Sequence, residues 1–208
     1  MRLAARRFGG WAVGITLLTA QPPNRLTAQV SLHASVGARY TSALVHDSIV
    51  VPIDVQPSIA PALALSVSER TRTPWTPDAT IDLSWSGLER HESGTSTKIT
   101  SLTTFAFTVG VRHALTRGVD ARIGLGVLKY LPGEKIGLFR DGSGISALGT
   151  ASVEWIPSAT AGRGIGVALQ YDVHRFSTPA LQSEGFTSRQ LVHRLALGVM
   201  ARLSGGGS

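Results

Sequence analysis

From Val30 onward, hydrophobic and polar residues alternate along the chain in steps of two. Between Gly118 and Leu131, Val119, Ala121, Ile123, Leu125 and Val127 take the odd positions, and Asp120, Arg122, Gly124 and Gly126 take the even ones. Successive side chains of a strand point to opposite faces of a sheet. A period of two therefore predicts a strand with one aliphatic face and one small or charged face.

The pattern recurs eight times. In strand one, Val30, Leu32, Val36 and Tyr40 oppose Ser31, His33, Ser35, Gly37 and Arg39. Strand two sets Ile59, Pro61, Leu63, Leu65 and Val67 against Ser66, Ser68 and Arg70. Pro61 donates no ladder hydrogen bond, so a bulge or a strand start is expected there. Strand three is short, with Ile81, Leu83 and Trp85 against Asp82, Ser84 and Ser86. Strand four runs from Lys98 to Leu115, with Phe105, Phe107, Val109 and Val111 opposing Thr104, Thr108, Gly110 and Arg112. Strand five is the Gly118 to Leu131 stretch. Strand six sets Ile145, Ala147, Val153 and Trp155 against Ser146, Thr150, Ser152 and Glu154. Strand seven sets Ile165, Val167, Leu169 and Tyr171 against Gly166, Gln170, Asp172 and His174. Strand eight sets Leu191, Leu195, Leu197 and Val199 against Arg194, Gly198, Met200 and Arg202.

The connections alternate in length. Thr41 to Gln56, Pro132 to Ser143 and Ser177 to Ser188 are long, whereas Thr116 to Gly118 and Pro157 to Arg163 are short. Two connections depart from this order: Thr71 to Ala79 is long for a turn, and His91 to Thr97 is short for an outer loop.

Met1 to Ala28 reads as a secretory signal peptide. Arg2, Arg6 and Arg7 precede an apolar stretch from Phe8 to Ala20 that is too short to span a bilayer. Cleavage is expected after Ala28, with Ala20 as the alternative. The mature domain then comprises residues 29–208, exported through the Sec route.

Composition changes the picture in three places. The net charge of +7 includes four arginines in the first 28 residues, which contain no acid; 16 basic and 13 acidic residues follow. No basic run with interleaved aromatics points to nucleic acid. The chain has no Cys, which excludes disulfides, thiolate nucleophiles and Cys-based zinc sites. No apolar run reaches the roughly 18 residues of a transmembrane helix.

The second face decides between a water-soluble sandwich and a membrane barrel. A soluble sheet shows long charged side chains to water. Here the second face is Gly, Ala, Ser and Thr, with one or two charges per strand. That composition suits the narrow interior of an eight-stranded barrel. The charges carry both signs and form an expected interior polar network: Arg39, Arg70, Asp82, Arg112, Asp120, Arg122, Glu154, Asp172, His174, Arg194 and Arg202. Buried charges must be paired. The preponderance of arginine, 17 against 3 lysines, suits bidentate pairing with carboxylates. Closure also removes the open sheet edges that hydrocarbon does not tolerate. Tyr40, Trp85, Tyr130, Trp155 and Tyr171 lie near strand ends, where membrane barrels carry aromatic girdles.

On these features, from Val30 to Leu203, the chain resembles the OmpA/OmpX-type family of small eight-stranded outer-membrane barrels. The resemblance implies an all-β, antiparallel, up-and-down transmembrane barrel in the outer membrane of a Gram-negative-type bacterium. It also implies contact with outer-membrane lipid and with the barrel insertion machinery. Members of the family end in an aromatic residue; Leu203, followed by a Gly/Ser tail, stands there instead.

Candidate chemistry is sparse. His33 and Ser35 share an inner face, as do Asp172 and His174, and the expected role of the second pair is in the polar network. His174 and Ser177 point oppositely in a continuous strand. His113 and His193 are expected to face outward. Asp141 to Gly144 reads as a turn, and Gly124 and Gly126 as relief of crowding in the lumen. No cofactor or metal is expected. The expected protein is a monomeric, porin-like but non-conducting barrel of the cell envelope, with a structural role or a loop-bound ligand and no enzymatic activity. The alternatives are a lipid-modifying enzyme of the lipid A deacylase kind and an exported soluble lipocalin-like carrier.

Overall fold

A computed structural model describes residues 29–47, 53–70, 73–157, 164–183 and 190–204. The expected signal peptide and its two cleavage sites lie outside them.

The strands are β1 (Gln29–Thr41), β2 (Val45–Asp47), β3 (Ile53–Pro57), β4 (Ala60–Arg70), β5 (Trp75–Glu92), β6 (Thr95–Thr116), β7 (Val119–Pro132), β8 (Ile145–Trp155), β9 (Gly164–Phe176) and β10 (Gln190–Ser204). Eight form an antiparallel ring in the order β5-β4-β1-β10-β9-β8-β7-β6, closed by the pairing of β5 with β6. The strands β2 and β3 form a small hairpin that extends the sheet, with β3 pairing Ile53 to Pro57 against Glu92 to Leu88 of β5. β1 starts and β10 ends at one rim, the terminal rim. The other, far rim carries the connections between β1 and β4, β5 and β6, β7 and β8, and β9 and β10.

Period-two alternation settles which way each side chain faces. Leu125 and Ile165 on the outer face are each 71% exposed, whereas Arg39 and Arg194 on the inner face are 2% and 1% exposed. The outer belt is almost wholly aliphatic and aromatic. This inverts a soluble protein, whose large exposed apolar patches are few and small. A closed ring with apolar side chains outside and every ladder paired is what hydrocarbon demands. No helix among the described residues is long and apolar enough to cross a membrane.

Three expectations about connections are corrected. β5 begins at Trp75, so much of Thr71 to Ala79 is strand; Pro77 sits outward near the terminal rim, opposite Val111. The interval from His91 to Thr97 is not a loop but the end of one long hairpin, turned by Ser93 and Gly94 at φ values of 49° and 81°. Positive φ at both central residues matches the twist of the flanking strands. The interval Thr41 to Gln56 contains β2 and part of β3. Pro61 is the second residue of β4, next to Ala38 of β1, so it lies at a strand start.

Two pairs of glycines face each other in register, Gly37 with Gly198 and Gly110 with Gly124. A Cβ on Gly37 would lie 2.1 Å from the Leu197 carbonyl oxygen, and one on Gly110 would lie 2.4 Å from that of Ile123. On Gly126 it would lie 2.0 Å from the Phe107 carbonyl oxygen. The space these glycines save is therefore against neighbouring backbone, where glycine marks a tight bend.

Candidate functional site

Among the described residues, the lumen is where the fold gathers buried titratable groups, and it is built in layers. Near the terminal rim, Arg202 of β10 donates from Nη1 to Asp120 Oδ2 of β7 at 2.9 Å. Inward of this pair lies a lower ionic layer. His33 Nδ1 of β1 is 3.1 Å from Glu154 Oε2 of β8. Arg112 of β6 pairs with the same carboxylate. Its Nη2 also donates to Asp78 Oδ2 of β5 at 3.4 Å and to Ser66 Oγ of β4 at 3.5 Å. Arg122 of β7 donates from Nε to both Asp78 oxygens, at 2.9 and 2.7 Å, and from Nη2 to Thr108 Oγ1 at 2.9 Å.

The ladder explains why these contacts are needed. Arg112 and Arg122 are direct cross-strand partners, as are Asp120 and Glu154. Like charges opposed in a sheet are destabilising. Asp78 lies against both arginines, while Arg112 and Arg202 draw the two acids apart.

The upper ionic layer centres on Asp82 of β5. The Arg39 guanidinium of β1 grips it with both terminal nitrogens, Nη2 lying 2.5 Å from Oδ2. Arg194 Nη2 of β10 lies 3.5 Å from Asp82 Oδ1, and its Nη1 lies 3.5 Å from Asp172 Oδ2 of β9. Gln170 Nε2 donates to the other Asp172 oxygen at 2.9 Å. All four charged residues are at most 3% exposed. Removing such charges from water costs several kcal/mol each, so only mutual pairing and hydrogen bonding make the layer tolerable.

Beyond the ions the lumen turns apolar. The Tyr130 hydroxyl is 2.9 Å from His174 Nε2, and above them pack Leu88, Leu102, Leu128, Leu148, Phe176 and Val192. A single turn of 3-10 helix, Gly137–Phe139, inserts Phe139 into this cluster, its ring centroid 5.9 Å from that of Phe176. A short helix, α1 (Pro179–Ser183), adds Leu181, and the base of the β2–β3 hairpin adds Leu44, just before β2, and Val55 of β3, whose carbonyl accepts from the Leu44 amide. Thr178 Oγ1 accepts from the Leu181 amide at 3.3 Å and fixes the start of α1. The far rim is thus sealed by hydrophobic packing.

The structure places Arg39, Asp82, Arg112, Asp120, Arg122, Glu154, Asp172, His174, Arg194 and Arg202 in the lumen and joins all but His174 through ion pairs. His174 contacts Tyr130 instead of an acid. Arg70 ends β4, and its side chain is outside the described residues. Two members were not in the expected network: Asp78, hidden by the apparent connector around Pro74 and Pro77, and His33, whose inner-face position was the available signal. Tyr130 is corrected from girdle to lumen, at 2% exposure; its even position, shared with Asp120 and Arg122, carried that information.

No catalytic pair forms among the sequence candidates. His33 engages Glu154, not Ser35, and Asp172 engages Arg194, not His174. Outside the lumen, His113 stacks on Trp75 and His193 Nδ1 lies 2.6 Å from the Tyr171 hydroxyl. Among the described residues no group of three or more His, Asp or Glu is disposed to hold a metal ion.

No protein-family model matches the chain. No curated protein matches it in sequence. Solved structures do match. AlkL, an outer-membrane protein solved in lipid bilayers, superposes with a TM-score of 0.55 at 8% identity, over 99% of this chain and 98% of that one. Ail, an outer-membrane protein of Yersinia pestis solved in a phospholipid nanodisc, superposes with a TM-score of 0.50 at 12% identity, over 85% of this chain and 99% of that one. At such identities the likeness is one of fold, and the fold is that of small outer-membrane β-barrels.

Proposed function

We propose that this chain is a monomeric outer-membrane barrel with a non-conducting lumen, whose role is structural or is carried by its far-rim surface. One observation carries the reading: the lumen is filled twice over, by two ionic layers and by an apolar seal, inside an outer face that only lipid suits. Both termini of the barrel would face the periplasm. The far rim, with the β5–β6 hairpin, the β2–β3 hairpin and the cap, would face outward and offer the ligand-binding surface. In that hairpin Arg90 pairs with Glu92 at 2.7 Å, and in β2–β3 His46 pairs with Asp54 at 2.5 Å. Both pairs are exposed, and exposed pairs contribute little to stability. Their charges are therefore available to a partner. The chain would act without enzymatic turnover and would reach the membrane through the Sec route and the insertion machinery.

Electrophoretic heat-modifiability of the membrane fraction, together with conductance across a planar bilayer, tests this. The expected result is a mobility shift on boiling, a mature N-terminus at Gln29 and no ohmic steps. A soluble protein without a mobility shift would overturn the membrane assignment. Discrete conductance steps would overturn the filled lumen.

A further inference from the structure

The lower ionic layer borders a cavity. His33, Ser66, Thr80, Arg112, Arg122 and Glu154 form its polar wall, and small residues of β1, β4 and β9 form part of the rest. Ser152 of β8, Gln170 of β9 and Met200 of β10 complete the lining, and the Gln170 amide is turned to Asp172. The cavity offers about 30 Å3 to the centres of water-sized groups. One water needs roughly 10–15 Å3 by that measure. The cavity therefore suits two waters or one ion of halide size, and is tight for a tetrahedral oxyanion.

Its wall is rich in donors. His33 Nε2, Arg112 Nε and Thr80 Oγ1 are buried with no protein partner. Their residues are 3%, 4% and 8% exposed. Arg112 Nε and Thr80 Oγ1 can donate a hydrogen as they stand; with Nδ1–H on Glu154, His33 Nε2 donates once the ring carries a second proton. The neighbouring carboxylates are already engaged, Glu154 by His33 and Arg112, Asp78 by Arg112 and Arg122. A buried donor without an acceptor is costly, so the wall calls for an acceptor and offers no free carboxylate to a cation.

We propose that this cavity is a binding site for a small monovalent anion, of the size of chloride or bromide. Charge balance sets the condition for filling it. Among the described lumen residues, Arg39, Arg112, Arg122, Arg194 and Arg202 match Asp78, Asp82, Asp120, Glu154 and Asp172 one for one. A buried anion needs a further positive charge, and His33 is the group in the wall that can acquire one. The anion therefore enters with a proton on the His33 imidazole: Nδ1–H stays on Glu154 and Nε2–H becomes a charged donor to the anion. Charged groups around His33 are Glu154 on β8, Arg112 on β6, Arg122 across the cavity on β7, Asp78 on β5, which holds both arginines, Arg202 opposite on β10, and Asp120 on β7, which holds Arg202; its partner on β4, Ser66, is neutral. Entry is from the terminal rim, where the Arg202 side chain is 30% exposed and the far rim is sealed.

The test uses the folded barrel in micelles with its histidine rings labelled with nitrogen-15. Sodium bromide is titrated against sodium gluconate at constant ionic strength, at several pH values one unit apart. The His33 ring signals, identified by their loss in His33→Gln, are expected to shift saturably with bromide and not with gluconate. The apparent affinity should fall as pH rises, by up to about tenfold per pH unit, as linkage to one proton requires. Thr80→Val, which removes one donor and no charge, should weaken bromide several-fold while the barrel remains heat-modifiable. A response linear in salt, equal for gluconate, or unchanged in Thr80→Val would overturn the site, leaving a cavity for water alone. Saturation without pH dependence would overturn the role of His33.

Discussion

Asp82 shows how much one residue can hold in a filled lumen. It answers two arginines, Arg39 and Arg194, both almost fully buried. Removing one partner of a buried ion pair strands the other, at a cost of about 3–5 kcal/mol, whereas replacing a pair by apolar groups of similar volume is often neutral. Asp82→Ala is therefore expected to lower unfolding free energy by about 3–5 kcal/mol, read from urea titration of the barrel in lipid vesicles. The double variant Asp82→Leu with Arg39→Met should recover most of that loss, because Arg194 retains Asp172. A double variant as unstable as the sum of its singles would show that the layer acts through something other than paired charge. Which residues face the lumen was legible, since strand parity alone assigns Arg39, Asp82, Arg194 and Asp172 to it. Which of them pair was not, because pairing depends on tilt and side-chain reach across the ring: Arg39 could have met Asp172 first, yet lies 4.0 Å from it and grips Asp82.

At the scale of elements, the strands were legible wherever one face meets lipid and the other the lumen. Where that contrast fades, so does the reading. The upper part of the β5–β6 hairpin stands clear of the other barrel strands, with β3 beside β5, so Glu89 to Glu92 and Thr95 to Lys98 show no alternation to find. A register shift at Leu88/Glu89, which leaves Ile99 without a cross-strand partner, further breaks the phase there. The apolar seal was equally hidden. Phe139 is a lone aromatic in a stretch of glycine and charge, and only the far side of the ring reveals what it packs against. Phe139→Ala is expected to cost up to about 3–5 kcal/mol, less where the cap can collapse. The loss should be local: amide exchange would quicken at Leu128 and Tyr130 and stay slow at Gly37 and Gly198. Uniform acceleration around the ring would mean that the cap and the ionic layers unfold as one unit.

For the whole molecule, closure of the ring has a shape as well as a topology. The two facing glycine pairs lie at the β1–β10 seam and the β6–β7 seam. In a ring of eight, those seams are four strands apart on either side, hence diametrically opposed. With no side chain inside, the sheet can crease at each. A tube creased along two opposite lines is expected to be flattened, with its long axis from seam to seam and two walls, β10-β9-β8-β7 and β1-β4-β5-β6, facing each other across the short one. The ions fit that outline. His33 and Arg112 both reach from one wall to Glu154 on the other, and Arg194 crosses in reverse to Asp82. Because the chain has no cysteine of its own, spin labels can be placed in pairs. Labels at Leu197 and Ile123, beside the creases, should stand farther apart than labels at Leu65 and Leu169, on the walls; equal separations would mean a circular section. In mechanical terms the glycines act as hinges and the arginines as tie-rods. The section would therefore yield most easily along the axis the rods span, and a partner or a thinner bilayer that squeezed the barrel would be felt first at the ion pairs.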